Sequence, residues 1–124
     1  MKVKMLIAAA ALAVSSAFAT SALAAPVQSP TEVTIAGQNG DYHGRVKSND
    51  KTNCENDRNV KVYKMLGGSP SPSTDQKIGT DTAEPDGAHA SWSIGNSGYK
   101  HGKFYARVGK TDFCGADRSP VIVR

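Results

Sequence analysis

The sequence predicts an all-β domain, a β-sandwich or small barrel of seven short strands. Two observations carry this. After residue 25 no stretch keeps a helical period, and short alternating apolar runs are separated by turn residues throughout. The chain also repeats one plan: a strand, a polar loop with one cysteine, then a strand, once around Cys54 and once around Cys114.

The N-terminus stands apart from this domain. Lys2 and Lys4 precede an apolar run from Met5 to Val14, and small residues follow to Ala22-Leu-Ala24. Basic start, short apolar centre and Ala-x-Ala exit are the parts of a secretory signal peptide, here residues 1–24. Ala17-Phe-Ala19 is an alternative cleavage site. The run is short for a membrane span. No twin-Arg pair precedes it, and no cysteine follows the Ala-x-Ala for a lipid anchor. The expectation is a bacterial protein exported to the periplasm or secreted, with no membrane span after cleavage.

Residues 25–124 then make one domain. The whole chain carries 15 basic and 11 acidic residues, net +4. Without Lys2 and Lys4 it carries 13 against 11, net +2. Interleaved charges of that size give no nucleic-acid footprint, and none is expected as a partner. An even cysteine count in an exported domain predicts a Cys54–Cys114 disulfide. Closing that loop stabilises the domain by about 4 kcal/mol. A redox or metal pair is the alternative, but there is no Cys-x-x-Cys.

In order, 25–31 is a flexible lead-in and 32–124 the β domain. Glu32–Ile35 is the first strand. Gln38-Asn-Gly-Asp41 is a turn, because Asn-Gly tolerates positive φ. Tyr42–Ser48 is the second strand, and a polar loop runs to Arg58. The third strand places Val60 and Val62 on one face, Lys61 and Tyr63 on the other. Gly67–Ser73 holds two prolines and must be an exposed loop. Gln76–Thr80 is a strand, Ala83–Gly87 a turn, Ala90–Ile94 a strand, Phe104–Val108 a strand and Val121–Arg124 the last. The expected core is Val33, Ile35, Val46, Val60, Val62, Ile78, Trp92, Ile94, Phe104, Ala106, Val108, Val121 and Val123. So small a core is where a disulfide matters most.

A wider pattern joins these pieces: Gly44-x-Val46, Cys54 before Arg58-x-Val60-x-Val62-Tyr63, Gly79-Thr-Asp81, Asp86-Gly87 before Ser91-Trp92, and Gly102-x-Phe-Tyr-Ala-Arg-Val108 before Cys114 and Ser119. It resembles bacterial extracytoplasmic β-sandwich modules related to the prealbumin-like and carboxypeptidase-regulatory-like domains. The resemblance spans about Val33 to Val123 and rests mostly on core and turn positions. It implies a seven-stranded Greek-key sandwich, Ig-like or prealbumin-like, acting as an accessory or binding module. The hydroxyisourate-hydrolysing relatives of transthyretin have a distinctive C-terminal tetrapeptide and active-site histidines. This chain ends Val121-Ile-Val-Arg124, so that activity is not implied.

If strands alternate in direction, the loops 48–59, 81–89 and 110–118 share one end, as the disulfide also requires. Eight of the eleven acidic residues fall there. The sharp reading is a Ca²⁺ site drawn from Asp50, Asp57, Asp81, Asp86 and Asp112, since hard cations want several oxygens. The plain reading is solvated loops with local Arg–carboxylate pairs. Asp81–Gly87 lacks EF-hand spacing, so no motif favours the cation. His43, His89 and His101 form no zinc spacing. Gly95-Asn-Ser-Gly98 is a turn, not a nucleophile elbow. No phosphate-binding glycine loop opens a helix. Tyr63 and Tyr105, pointing away from the core, are the candidates for a sugar- or peptide-binding face.

The expected function is a monomeric, non-enzymatic, exported module that needs no cofactor. Its role is binding or structural, with an unknown extracytoplasmic protein or small ligand as partner. The alternatives are a small secreted antagonist of an enzyme, with loops preorganised by the disulfide, and the Ca²⁺-binding loop site.

Overall fold

The structure, a computed structural model, describes residues 27–124. The expected signal peptide lies outside the described residues.

Two antiparallel sheets face each other. In the first, β3 (Asp41–Ser48) pairs with β7 (His89–Ile94), and β7 with β6 (Glu84–Asp86). The free edge of β3 takes two short strands in succession, β1 (Thr31–Val33) and β2 (Ala36–Gln38). In the second, β4 (Asn59–Lys64) lies between β5 (Gln76–Thr82) and β8 (Lys103–Val108). The outer edge of β8 likewise takes β9 (Asp117–Arg118) and then β10 (Ile122–Val123). One short helix, α1 (Lys51–Cys54), follows β3, with Asp50 as its N-cap.

Where seven strands were expected, the described residues form ten strand segments. Two of the additions come from broken edge strands. Pro120 has no N–H to give, and it falls in the gap between β9 and β10. The third is β6, which occupies the segment expected to be a turn. From β5 the chain crosses at Ala83 into the other sheet, and only then turns at Gly87. The Asn39-Gly40 turn forms as expected, with φ of 58° and 87°, and joins β2 to β3 as a two-residue hairpin.

Strand alternation delivers the core. Val33, Tyr42, Val46, Ala90 and Trp92 from one sheet meet Val60, Val62, Phe104, Ala106 and Val108 from the other. The Tyr42 and Phe104 rings lie 4.8 Å apart, bridging the two sheets. Each such Val or Phe side chain contributes about 1.5–3 kcal/mol by leaving water. Gly44 has a packing reason: a Cβ there would strike the Thr34 carbonyl and the Trp92 indole. That carbonyl accepts from Trp92 Nε1 at 3.2 Å. Gly79 similarly leaves room for the Ile94 side chain to cross onto β5.

The expected core needs two corrections, and the lead-in a third. Tyr42, Ala83 and Ala90 belong to it. The last strand is in the opposite register: Ile122 packs against the core, and Val123 is 64 % exposed. Val-Ile-Val has no polar member to mark a face, so a one-residue slip costs the pattern nothing. The lead-in is not loose from Gln28 onward. Ser29 N–H donates to Phe113 O at 2.8 Å, and Gly115 N–H donates to Ser29 O at 2.9 Å.

Candidate functional site

The end that gathers the 49–58, 83–88 and 109–116 segments is tied by three devices. The first is the Cys54–Cys114 disulfide, with Cα atoms 5.5 Å apart and both residues fully buried. The second is Arg58, only 4 % exposed. Its Nη1 donates to Thr31 Oγ1 and to Cys54 O, both at 3.0 Å. Its Nη2 donates to Gly109 O at 2.6 Å and Gly115 O at 3.1 Å. One guanidinium thus donates to four oxygens, on β1, in its own loop and at two points of the 109–116 segment, using the planar fork that lysine lacks. Burial without a carboxylate pulls its pKa down from the usual high value.

The third is Glu55, 2 % exposed. Its carboxylate accepts from Ser48 N–H at 2.8 Å, Ala90 N–H at 3.2 Å and His89 Nδ1 at 2.9 Å. Burial pushes its pKa up. The hydrogen bonds from His89, Ser48 and Ala90, with the His89 charge, outweigh that and hold it below the ordinary Glu value. The three loops do share this end, but neither Glu55 nor Arg58 makes the Arg–carboxylate pair expected there.

The five aspartates proposed for a cation do different jobs. Asp50 caps α1 by accepting from Asn53 N–H at 3.2 Å. Asp81 accepts from Ser93 N–H at 2.8 Å, at a position of β7 beyond the end of its pairing with β6. Asp86 pairs with Arg45 at 3.4 Å, both exposed. Asp57 takes a positive φ of 63°, and its N–H donates to Ala83 O at 2.8 Å. Asp112 stands exposed in the Cys114 loop. Among the described residues no three acidic, His or Cys side chains are placed to hold a metal ion. His43 and His101 are exposed on separate elements.

On the outer face of the second sheet, Tyr63 and Tyr105 point away from the core as expected. They are not exposed, which corrects the reading of an open aromatic face. Tyr63 is 7 % and Tyr105 0 % accessible, stacked at 5.3 Å. The segment after β4 closes over them. Tyr105 Oη donates to Asp75 Oδ2 at 2.6 Å, and the same carboxylate accepts from Leu66 and Ser71 N–H. These bonds, Tyr105's first, hold the Asp75 pKa below its ordinary value; burial, and then the carboxylate, push Tyr105's up.

Beside them the same face carries a row of cations among uncharged residues such as Asn59 and Thr80. Strand register sets Arg107 opposite Lys61 on one side and opposite Arg118 on the other. Lys61 and Arg107, with Lys110, Asn59, Asp57 and Arg58, border a concavity of about 290 Å³. On the first sheet's outer face, His43, Arg45, Ser91, Ser93, Asp81 and Glu84 border a larger one of about 730 Å³, where both signs are present.

Sequence reasoning missed Glu55 and Arg58 as buried anchors. Their signal was position: each lies within four residues of Cys54, in a loop that the disulfide must draw inward. The cationic row was invisible because it depends on the pairing of β8 with β9. No protein-family model matches the chain, and no curated protein matches it.

Proposed function

We propose that the chain is an exported, non-enzymatic β-sandwich module that binds or spaces a partner outside the cytoplasm. One observation carries this reading: the groups best suited to chemistry are spent on structure. Both cysteines, Glu55 and Arg58 are buried and fully engaged in tying loops together. What remains open is the polar outer face of each sheet. A disulfide and the basic–apolar–Ala-x-Ala start support placement outside the cytoplasm.

We read the ten segments as seven strands of a Greek-key sandwich, Ig-like or prealbumin-like. β1 with β2, β5 with β6, and β9 with β10 each count as one interrupted strand. The resemblance to carboxypeptidase-regulatory-like modules supports the same assignment and the accessory role.

The test is expression of the full chain in an export-competent bacterium. The expected product starts at Ala25, carries the disulfide, and turns over no generic esterase, glycosidase or peptidase substrate. Cytoplasmic retention would refute the export half, and turnover the non-enzymatic half.

A second reading, a small antagonist of an enzyme, is favoured by one feature. The Gly67–Ser73 loop is exposed yet anchored, since Asp75 accepts from Leu66 and Ser71 N–H, and Thr74 N–H donates to Ser71 O. Such a loop loses little freedom on binding.

A further inference from the structure

We propose that the outer face of the second sheet binds a linear anionic polymer along the row Lys61–Arg107–Arg118. This deepens the binding-module reading and rests on it. The three residues are direct cross-strand neighbours on β4, β8 and β9. Directly opposed residues of antiparallel strands share a face, so the three cations point the same way. Strand spacing of about 4.8 Å makes the row roughly 10 Å long.

Like charges opposite one another weaken strand pairing. Among the described residues none of the three forms an ion pair with a carboxylate. The nearby acids do not supply one. Asp117 turns the other way and accepts from Val33 N–H at 2.7 Å. Asp57 lines the same concavity as Lys61 and Arg107 but forms no ion pair with either, and Asp112 is out in the loop. Lys110 adds a fourth cation beside Lys61 and Arg107. The fold thus carries an uncompensated positive row that an anion would relieve.

The row's shape selects the partner. One small anion can neutralise one or two of these charges, whereas a polymer with charges repeating at a few ångströms can meet all of them. The exposed large apolar residues, Val27, Leu66, Phe113 and Val123, are not members of the row, so it lacks the apolar anchors a bilayer surface would engage. The shared chemistry is a chain of repeating phosphate or carboxylate groups.

The test is calorimetric titration of the disulfide-bonded protein, recovered after export, with polyphosphate and separately with polygalacturonate. Binding that weakens with added salt is expected. K61Q/R107Q/R118Q should lose roughly a hundredfold, about fivefold per cation in high dielectric. Its melting temperature should not fall, because it removes repulsion. Preference for one polymer would assign the source of the charge. K51Q/K100Q, on α1 and in the turn before β8, should lose less than twofold. An equal loss in that control would overturn the row, as would retention on phosphatidylglycerol vesicles without binding of either polymer. Absence of binding and of turnover would overturn the row alone. Shortening of the polymer would overturn the non-enzymatic reading with it.

Discussion

The two ends of the sandwich are closed by different means. At the disulfide end, bonds run from buried side chains to segments distant in sequence. Arg58 reaches Thr31, Gly109 and Gly115, and Cys54 reaches Cys114. At the opposite end the ties are ordinary and mostly exposed. Asn96 N–H donates to Asp41 Oδ1 at 2.7 Å, Ser97 N–H to Gly40 O at 3.1 Å, and Gly102 and Arg124 exchange backbone bonds. Both ends bond backbone groups between loops. Only one does so with groups that cannot be removed without leaving buried polar atoms unpaired, and the cost of such removal is high. The difference predicts a fixed scaffold end and an end that opens at lower free energy.

The largest effect should come from removing the disulfide. Cys54→Ala with Cys114→Ala is expected to cost about 4 kcal/mol in chemical denaturation. Arg58→Met comes next, at about 3 kcal/mol or more, since it strands buried carbonyls. A cost below 1 kcal/mol would break the comparison, because it would make Arg58 no better than a surface cation.

Glu55→Gln is expected to cost about 2 kcal/mol at neutral pH. Its pH dependence sharpens the assignment. The folded Glu55 pKa lies below the unfolded one, so its contribution is complete above about pH 4.3 and is lost as pH falls through the folded value. The stability gap between wild type and E55Q should therefore close in acid; a gap that widened there would refute the bonded carboxylate. Tyr105→Phe, which tests the strongest tie of the other end, should cost about 1.5 kcal/mol. The smallest expected effect is that of Ca²⁺, which should leave the melting temperature unchanged because, among the described residues, no three acidic, His or Cys side chains converge to hold an ion.

Much of this was legible in residue order. Alternation located a strand at each of the seven expected places, the cysteines announced the closed end, and Asn39-Gly40 announced its hairpin. What failed was whatever depended on pairing between distant segments. Tyr42 was absent from the expected core, but its hydroxyl donates to Tyr99 O at 2.7 Å and the ring enters the core. Tyr63 and Tyr105 were placed on the right face, yet no local pattern reports that Asp75 will draw a loop over them. Ala83 reads as a turn residue until β5 is seen to change sheets there. Arg58 and Arg107 look alike in sequence; one is a buried clamp and the other lies in a cationic row, according to the face on which each falls.

The most direct test is native-state amide hydrogen exchange, residue by residue, on the oxidised protein. The N–H groups of Ala83, Asp57, Gly115 and Ser29, all bonded across the disulfide end, should exchange only with global unfolding. Those of Asn96 and Ser97 should exchange through local opening at lower free energy. Equal protection at both ends, or weaker protection at the disulfide end, would contradict the division into a fixed end and an opening one.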